Sequence, residues 1–283
     1  MELFQVDAFT DTPFGGNPAG VCILEEAGDE QWMQAVAMEM NLPETAFLYR
    51  TEFGYNLRWF TPDVEMDLCG HATLAAAHIL WQKGHLDPSE RAVFFTKSGT
   101  LTADLREGGW IELNFPAEED KPCEIPERLV EALGVPVKYV GKNRFDYIIE
   151  VESEDIVRKL EPNFNLLSKI PTRGFIVTSS AQTEPYDFVS RFFAPGDGTN
   201  EDPVTGSAHC CLAPYWKRKL GKNEFMAYQA SKRGGILRNV VQGDRVLLIG
   251  QAVTTMRCEL YTNNPSRPQV ERPFINLGGE SII

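Results

Sequence analysis

The sequence has few cysteines and lacks the short motifs that bind common cofactors. Six cysteines occur in 283 residues, and no two of them form a C-x-x-C pair. This sparse set argues against a dense disulfide framework and favours a reduced, cytoplasmic protein. The chain also contains no P-loop, no G-x-G-x-x-G and no G-x-S-x-G motif. We therefore expect no organic cofactor and no serine-hydrolase site.

Positive charge and long apolar runs are scarce as well. The chain has 27 lysines and arginines against 40 aspartates and glutamates, which gives a formal net charge of −13 at pH 7. This acidic balance repels phosphate groups and argues against nucleic acid and anionic membranes as partners. The N-terminus lacks the features of a signal peptide. The most apolar helical segment, residues 72–81, is about half the length of a membrane span.

Strand-like segments fill most of the chain, and two apolar helices interrupt them. The helices are predicted over residues 70–83 and 206–220, and the first is apolar on nearly every face, which is typical of a buried helix. A proline-rich acidic segment, residues 116–127, is the best candidate for a linker. We therefore predict an α+β fold with two domains, residues 1–118 and 119–283. The C-terminal tail is expected to be able to return to the first domain.

The two predicted helices begin in similar sequence contexts. An Arg-x-Phe-x-Pro segment precedes each one, at residues 58–62 and 191–195, and each helix begins at a glycine, Gly70 or Gly206. The first amides of a helix have no intrahelical partner, and together with the helix dipole they attract anions. Two such helix starts facing one cleft would hold a carboxylate or a developing enolate. The alternative is that the glycines only permit tight turns.

Five segments together carry a resemblance to a known family. They are DAFTDTPFGGNPAGV, NLPETAFL, LRWFTPDVEMDLCGHATLAAA, FFAPGDGTNEDPVTGSAH and GQAVTT, and they lie between residues 6 and 255. Because these segments occur together and in this order, the chain resembles the PhzF-like isomerases. That family is named for an enzyme of phenazine biosynthesis and is structurally similar to diaminopimelate epimerase. The resemblance implies two similar domains, each a curled, mostly antiparallel sheet or barrel around a central helix. It also implies an active site between the domains and a homodimer.

The resemblance further implies a catalytic acid/base, Glu44 in the segment NLPETAFL. The implied chemistry is a proton shift on a small carboxylated substrate, in which one carboxylate removes a proton and returns it to another atom. Such a base needs a pKa raised toward neutrality. Apolar neighbours such as Phe47 favour the desolvation that raises it. Without the resemblance, Glu44 would be interpreted as an ordinary solvated glutamate.

Two further residues match catalytic positions of the family. His71 is implied to bind a substrate carboxylate or relay a proton, and Asp202 is implied to accept a hydrogen bond from a substrate amine or hydroxyl. The structural alternatives are a helix-end histidine that bonds the backbone and an aspartate that caps a helix. The residues implied to bind substrate are Gly70, Gly206, Ser207 and, more weakly, Asn17.

Three other functions remain as alternatives. An amino-acid racemase or epimerase of the related type would use a thiol at each helix start, and Cys69 fits the first position. The matching Thr205 is a poor base, because a hydroxyl is far less acidic than a thiol. A metal enzyme is disfavoured, since histidines spaced seven residues apart along a helix lie about 10.5 Å apart. The last alternative is a catalytically silent metabolite-binding protein.

Overall fold

The structure is a computed structural model that describes residues 1–262 and 264. The last residues of the predicted second domain, 265–283, lie outside the described residues. The first half of the chain contains β1 (Glu2–Ala8), β2 (Asn17–Leu24), α1 (Glu30–Met40), β3 (Glu44–Thr51), β4 (Gly54–Phe60), β5 (Glu65–Met66), α2 (Gly70–Gln82), β6 (Ala92–Thr96), β7 (Gly99–Leu105) and β8 (Ile111–Pro116).

The second half repeats this succession with more short helices. It contains β9 (Lys121–Pro122), α3 (Leu129–Leu133), β10 (Tyr139–Lys142), β11 (Asp146–Glu150), α4 (Glu154–Lys159), α5 (Phe164–Leu167), β12 (Gly174–Ser180), β13 (Phe188–Ala194), β14 (Thr199–Asp202), α6 (Gly206–Leu220), β15 (Glu224–Gln229), β16 (Gly235–Gln242), β17 (Arg245–Gly250) and β18 (Ala252–Glu259). Helices α3 to α5 are too short to produce a helical period, so the sequence pattern did not predict them.

The strands of the two halves pair in the same order and with the same sense. In the first half the pairs β1–β2, β3–β4, β6–β7 and β7–β8 are antiparallel, whereas β2–β3 and β4–β6 are parallel. Strands β10, β11, β12, β13, β15, β16 and β17 repeat this sequence of pairings. An antiparallel pair between β8 and β17 joins the halves into one sheet. The predicted α+β fold of two similar halves is confirmed.

Two strands cross from one half to the other. Strand β18 follows β17 of the second half but pairs antiparallel with β1 of the first. Strand β9 follows β8 of the first half and pairs antiparallel with β10 of the second. The predicted linker, residues 116–127, therefore contributes a short strand, and the segment up to Glu259 returns to the first half.

The Arg-x-Phe-x-Pro segments occupy equivalent places in the repeat. Arg58 of β4 makes two hydrogen bonds of 2.7 Å to Glu65 of β5, and Arg191 of β13 makes bonds of 2.6 and 2.9 Å to Glu201 of β14. Each guanidinium also lies over the phenylalanine two residues later, 5.2 and 4.8 Å from the ring centroid. These paired contacts hold the short antiparallel pair before each central helix, β4–β5 or β13–β14, and we call each such pair a β-hook. The similarity detected in the sequence is therefore structural.

Helices α2 and α6 lie inside the curled sheet. Helix α2 contacts β1, β2, β3, β8 and β18, and α6 contacts β11, β16 and β17. Leu74 and Leu80 of α2 are fully buried, and each such side chain contributes about 1.5–3 kcal/mol relative to exposure. The predicted bounds of α6 agree with the structure, and α2 ends one residue earlier than predicted, at Gln82. No helix within the described residues is long and apolar enough to span a membrane.

Candidate active site

The first residues of α2 and α6 meet at the junction of the two halves. A Cβ atom built on Gly70 would lie 3.6 Å from the Cα of Gly206, and one built on Gly206 would lie 3.6 Å from the Cα of Gly70. Neither glycine has a positive φ, so the tight-turn alternative does not explain them. Within the described part of the chain, the N-cap residues Cys69 and Thr205 make no side-chain cap. The first amides of both helices are therefore available to an anion.

Glu44 and His71 form the central contact of the site in the first half. Glu44 begins β3, which pairs in parallel with β2, and His71 is the second residue of α2. The Glu44 Oε2 atom lies 3.1 Å from Nε2 of His71, and the glutamate side chain is 17% exposed. Burial alone disfavours the imidazolium, but the neighbouring carboxylate of Glu44 raises the pKa of His71 well above its usual value.

Asn17 connects the two halves beside this pair. Its side chain is fully buried, and its Nδ2 donates to Asp202 Oδ1 at 2.7 Å and to the Val204 carbonyl at 2.8 Å. The same Nδ2 lies 3.2 Å from His71 Nδ1. An amide nitrogen carries two hydrogens, and the two shorter contacts use both. The neighbouring Cys69 Sγ, 3.6 Å away, is therefore the hydrogen-bond partner of His71 Nδ1.

Asp202 is the last residue of β14 and lies partly buried at the start of α6. Its Oδ2 accepts a hydrogen bond of 2.5 Å from the Thr205 hydroxyl. Burial, together with the negative charge of Glu44, raises the pKa of Asp202 to about 6, although the charge of His71 opposes this rise. Gln229 supports the same loop, because its Nε2 donates to the Asp202 carbonyl at 2.9 Å.

Sequence reasoning did not find Gln229. This residue ends β15, in which Phe225, Ala227 and Gln229 are the buried positions of an alternating pattern. Its Oε1 also accepts a 2.9 Å hydrogen bond from the Thr205 amide. A polar residue at a buried position of an alternating strand is unusual, since its side chain must find partners inside the protein. That pattern is the signal that would have identified it.

Arg173 is a second residue that sequence reasoning missed. It precedes β12, and its Nη2 donates to Ser207 Oγ at 3.1 Å. Its Nε donates to Oδ1 of the fully buried Asp146 at 2.8 Å. Arg173 lies outside the segments that carry the family resemblance, and its neighbourhood in the sequence shows no periodic signal. Only the fold brings it to the start of α6.

Cys69 is buried and its environment favours the thiol. Burial, assisted by the charge of Glu44, raises the pKa of its sulfur. At the equivalent position of the second half, the Thr205 hydroxyl donates to Asp202. The pair of facing thiols that the two-thiol alternative requires is therefore not formed by these two helix starts.

Three donor atoms of the site lie close enough together to raise the question of a metal. Ligand atoms of Glu44, Cys69 and His71 lie within 4.8 Å of one another. However, Nε2 of His71 faces Glu44 and Nδ1 faces Cys69, so an ion bound to one of these nitrogens would require at least one partner to move. His78 points elsewhere, with Nε2 3.1 Å from the Thr254 hydroxyl.

The structure thus brings the predicted site residues to one place. They surround the junction at which the two central helices begin, and they are Asn17, Glu44, Gly70, His71, Asp202, Gly206 and Ser207. A carboxylate beside an imidazole, a second carboxylate and two sets of helix amides can together move a proton and stabilise the charge that this creates.

Comparisons with known proteins agree on one family. The family described as PhzC-PhzF, phenazine biosynthesis-like protein, matches residues 6–258. The chain is 59% identical over 259 residues to an uncharacterized isomerase of Halalkalibacterium halodurans, covering 91% of this chain and 97% of that protein. It is 47% identical to an uncharacterized isomerase of Pseudomonas aeruginosa, with coverage of 92% and 99%. A solved PhzF-family structure from Enterococcus faecalis superposes with a TM-score of 0.88 at 39% identity, covering 92% of this chain and 99% of that one.

Proposed function

The chain belongs to the PhzC-PhzF family of phenazine biosynthesis-like proteins and is an isomerase, and we propose that it catalyses a proton shift on a small carboxylated substrate without a cofactor. The reaction takes place in a cleft between the two halves, where α2 and α6 begin. The observation that carries the proposal is the partly exposed Glu44 carboxylate, held 3.1 Å from His71 beside these helix starts.

The proposed reaction needs only one proton and one electron pair. The Glu44 carboxylate removes a proton from an acidic carbon of the substrate, and the electron pair of that bond moves into the conjugated acid. The resulting negative charge is stabilised by the amides at the start of α2 and α6. The protonated Glu44 then returns the proton to a different carbon, which restores the carboxylate and completes the isomerisation.

The neighbouring polar groups orient the substrate in this proposal. His71 orients the Glu44 carboxylate through Nε2, and the same nitrogen donates to the substrate acid once Glu44 has taken up the proton. Asp202 accepts a hydrogen bond from a substrate amine or hydroxyl. Asn17 fixes the Asp202 carboxylate by donating to its Oδ1 atom at 2.7 Å. Ser207 and the amides of α6 hold the substrate carboxylate.

The test is solvent exchange with a matched control. The protein is incubated in heavy water with a panel of cyclic and conjugated carboxylic acids, and deuterium incorporation is followed by NMR. We expect incorporation by the unaltered chain, a loss of at least 100-fold in Glu44→Gln because the base is removed, and no change in Glu39→Gln, an exposed glutamate of α1. Equal incorporation by the unaltered chain and Glu44→Gln would remove Glu44 from the mechanism.

A second candidate function uses Cys69, and its contact with His71 is the observation that favours it. The thiol lies 3.6 Å from Nδ1, and a racemase or epimerase with a single thiol would use this contact to exchange a proton. Cys69→Ser distinguishes the two functions in the same exchange assay. Retention of exchange within a few-fold supports the Glu44 mechanism, whereas complete loss with an intact fold supports the thiol. Absence of exchange for every acid would favour a metabolite-binding protein.

We further propose that the protein is a cytoplasmic homodimer with no nucleic-acid partner. The family resemblance supports the dimer, and the net charge of −13 supports the absence of a nucleic-acid partner. Light scattering during size-exclusion chromatography tests the dimer, for which we expect about twice the chain mass of 31.8 kDa.

A further inference from the structure

The internal repeat shows which residue of the second half is equivalent to Glu44 of the first half. Phe60 of β4 pairs with Thr45 in β3, and Phe193 of β13 pairs with Phe175 in β12. Phe60 and Phe193 are equivalent, because each follows the arginine that holds a β-hook. Thr45 therefore corresponds to Phe175. The counterpart of Glu44 is consequently a glycine, and the residue directly before that glycine is an arginine.

Each half sends a charged side chain from this place to the second residue of its central helix. In the first half Glu44 contacts His71 of α2, with a distance of 3.1 Å. In the second half Arg173, adjacent to the glycine, donates to Ser207 of α6, also at 3.1 Å. The two contacts end at equivalent helix positions but start one residue apart in the internal repeat, and they differ in charge. The site therefore has an acidic group on one side and a guanidinium on the other.

The guanidinium of Arg173 is held in a defined orientation. It forms an ion pair with the fully buried Asp146 through both Nε and Nη2. It also lies over two aromatic rings, 4.8 Å from the centroid of Phe145 and 5.7 Å from that of Phe192. A planar guanidinium suits such a combination of a two-atom ion pair and ring stacking. Its donor toward Ser207 is therefore positioned before any ligand arrives.

This contact determines which way the Ser207 hydroxyl can donate. The oxygen accepts from Arg173, so its own hydrogen points toward a different acceptor. The contacts of the described residues include no acceptor for that hydrogen. Ser207 is also at the beginning of α6, where the amides carry partial positive charge. A carboxylate placed there would receive the hydroxyl hydrogen and the amide hydrogens together.

We propose that Arg173 is a positioning residue that fixes the Ser207 hydroxyl as a donor to a substrate carboxylate at the start of α6. The inference rests on the proposed function and deepens it, because it assigns an orientation to the substrate. The carboxylate binds on the side of Arg173, and the acidic carbon lies on the side of Glu44. The carboxylate and the reacting carbon of the substrate therefore lie on opposite sides of the place where α2 and α6 begin.

The experiment measures carboxylate binding without turnover. Benzoate is titrated by isothermal calorimetry, with uncharged benzamide as the comparison ligand, into the unaltered chain, Arg173→Lys, Ser207→Ala and the double variant. We expect preferential benzoate binding, about tenfold weaker in each single variant, which corresponds to about 1.4 kcal/mol. The double variant should bind no more weakly than the worse single variant, because Arg173 acts through Ser207.

A matched control and a second pair of variants keep the test decisive. Arg144→Lys alters an arginine that stacks on the same Phe145 ring, 4.2 Å away, but pairs with the partly buried Glu118, and it should bind benzoate normally. Thermal melts check the folding of Arg173→Lys, which retains a cation beside the buried Asp146 carboxylate. If Arg173→Lys does not fold, the combined variant Arg173→Gln and Asp146→Asn, which removes both charges of the ion pair, replaces Arg173→Lys in the comparison of single and double variants.

Three results would overturn the proposal. They are additive losses in the double variant, unchanged benzoate affinity in both single variants, and no saturable benzoate binding by the unaltered chain. Glu44→Gln should retain benzoate binding, since the glutamate lies on the other side of the junction. A failure of the proton-shift mechanism and a failure of the Arg173 assignment are thus separate observations.

Discussion

Replacing Gln229 with leucine should destabilise the protein and disturb the loop that carries Asp202. The side chain is completely buried and makes three hydrogen bonds. Two go from Nε2 to the Asp202 carbonyl and the Thr205 hydroxyl, at 2.9 and 3.2 Å, and the third goes from the Thr205 amide to Oε1 at 2.9 Å. Leucine has a similar volume and no polar atoms. The substitution therefore tests the hydrogen bonds rather than the packing.

The expected cost follows from the groups that lose their partner. The buried Thr205 amide and the partly buried Asp202 carbonyl would both lose their present hydrogen bonds. An unsatisfied buried group costs about 1–3 kcal/mol. Transfer of the apolar leucine from water offsets part of this cost, so we expect the free energy of unfolding to fall by about 3 kcal/mol.

Urea unfolding followed by circular dichroism measures this change. The control is Gln242→Leu, which replaces an exposed glutamine at the end of β16 and should change the free energy of unfolding by less than about 0.5 kcal/mol. The slope with urea should be unchanged in both variants, as expected when only stability differs. A loss below about 0.5 kcal/mol in Gln229→Leu would show that these buried hydrogen bonds do not stabilise the loop.

Two further predictions concern Asp202 and the glycines. The pKa of Asp202 is raised to about 6, so its carboxyl group stabilises the folded state most at low pH, where it is protonated. This contribution to the free energy of unfolding is up to about 3 kcal/mol, and it is lost as the pH rises from about 4 through about 6. Asp202→Asn should abolish this part of the pH dependence, as measured by urea unfolding at pH 4 and 7.5, and identical profiles would contradict the assignment. In Gly206→Ala the new methyl would meet Leu248 Cδ1 at 3.4 Å and the Cα of Gly70 at 3.6 Å, so the melting temperature should change little. Proton exchange should fall at least tenfold because the methyl fills the space between the helix starts, and unchanged exchange would place the substrate elsewhere.

Local features of the sequence were sufficient to predict the central helices and the residues at their beginnings. Helix α2 is apolar on all faces and α6 begins at a glycine within a segment of small residues, and both patterns depend only on residues close together in the chain. The repeated Arg-x-Phe-x-Pro segment likewise predicted equivalent places, which the paired arginine–glutamate contacts now explain. The segments that resemble the family predicted the site residues from Asn17 to Ser207.

Only the tertiary structure decided how these residues face one another. Asn17 and Asp202 are 185 residues apart in the chain, yet a hydrogen bond of 2.7 Å joins them. Arg173 and Gln229 reach the site through the pairing of β12, β13 and β15, which no local pattern encodes. Strand pairing over long distances depends on the packing of the whole sheet, since each strand has several partners of suitable pattern. The sequence by itself therefore determined where the two central helices begin and which polar residues lie beside them in the chain, whereas long-range strand pairing decided that the two helix starts meet.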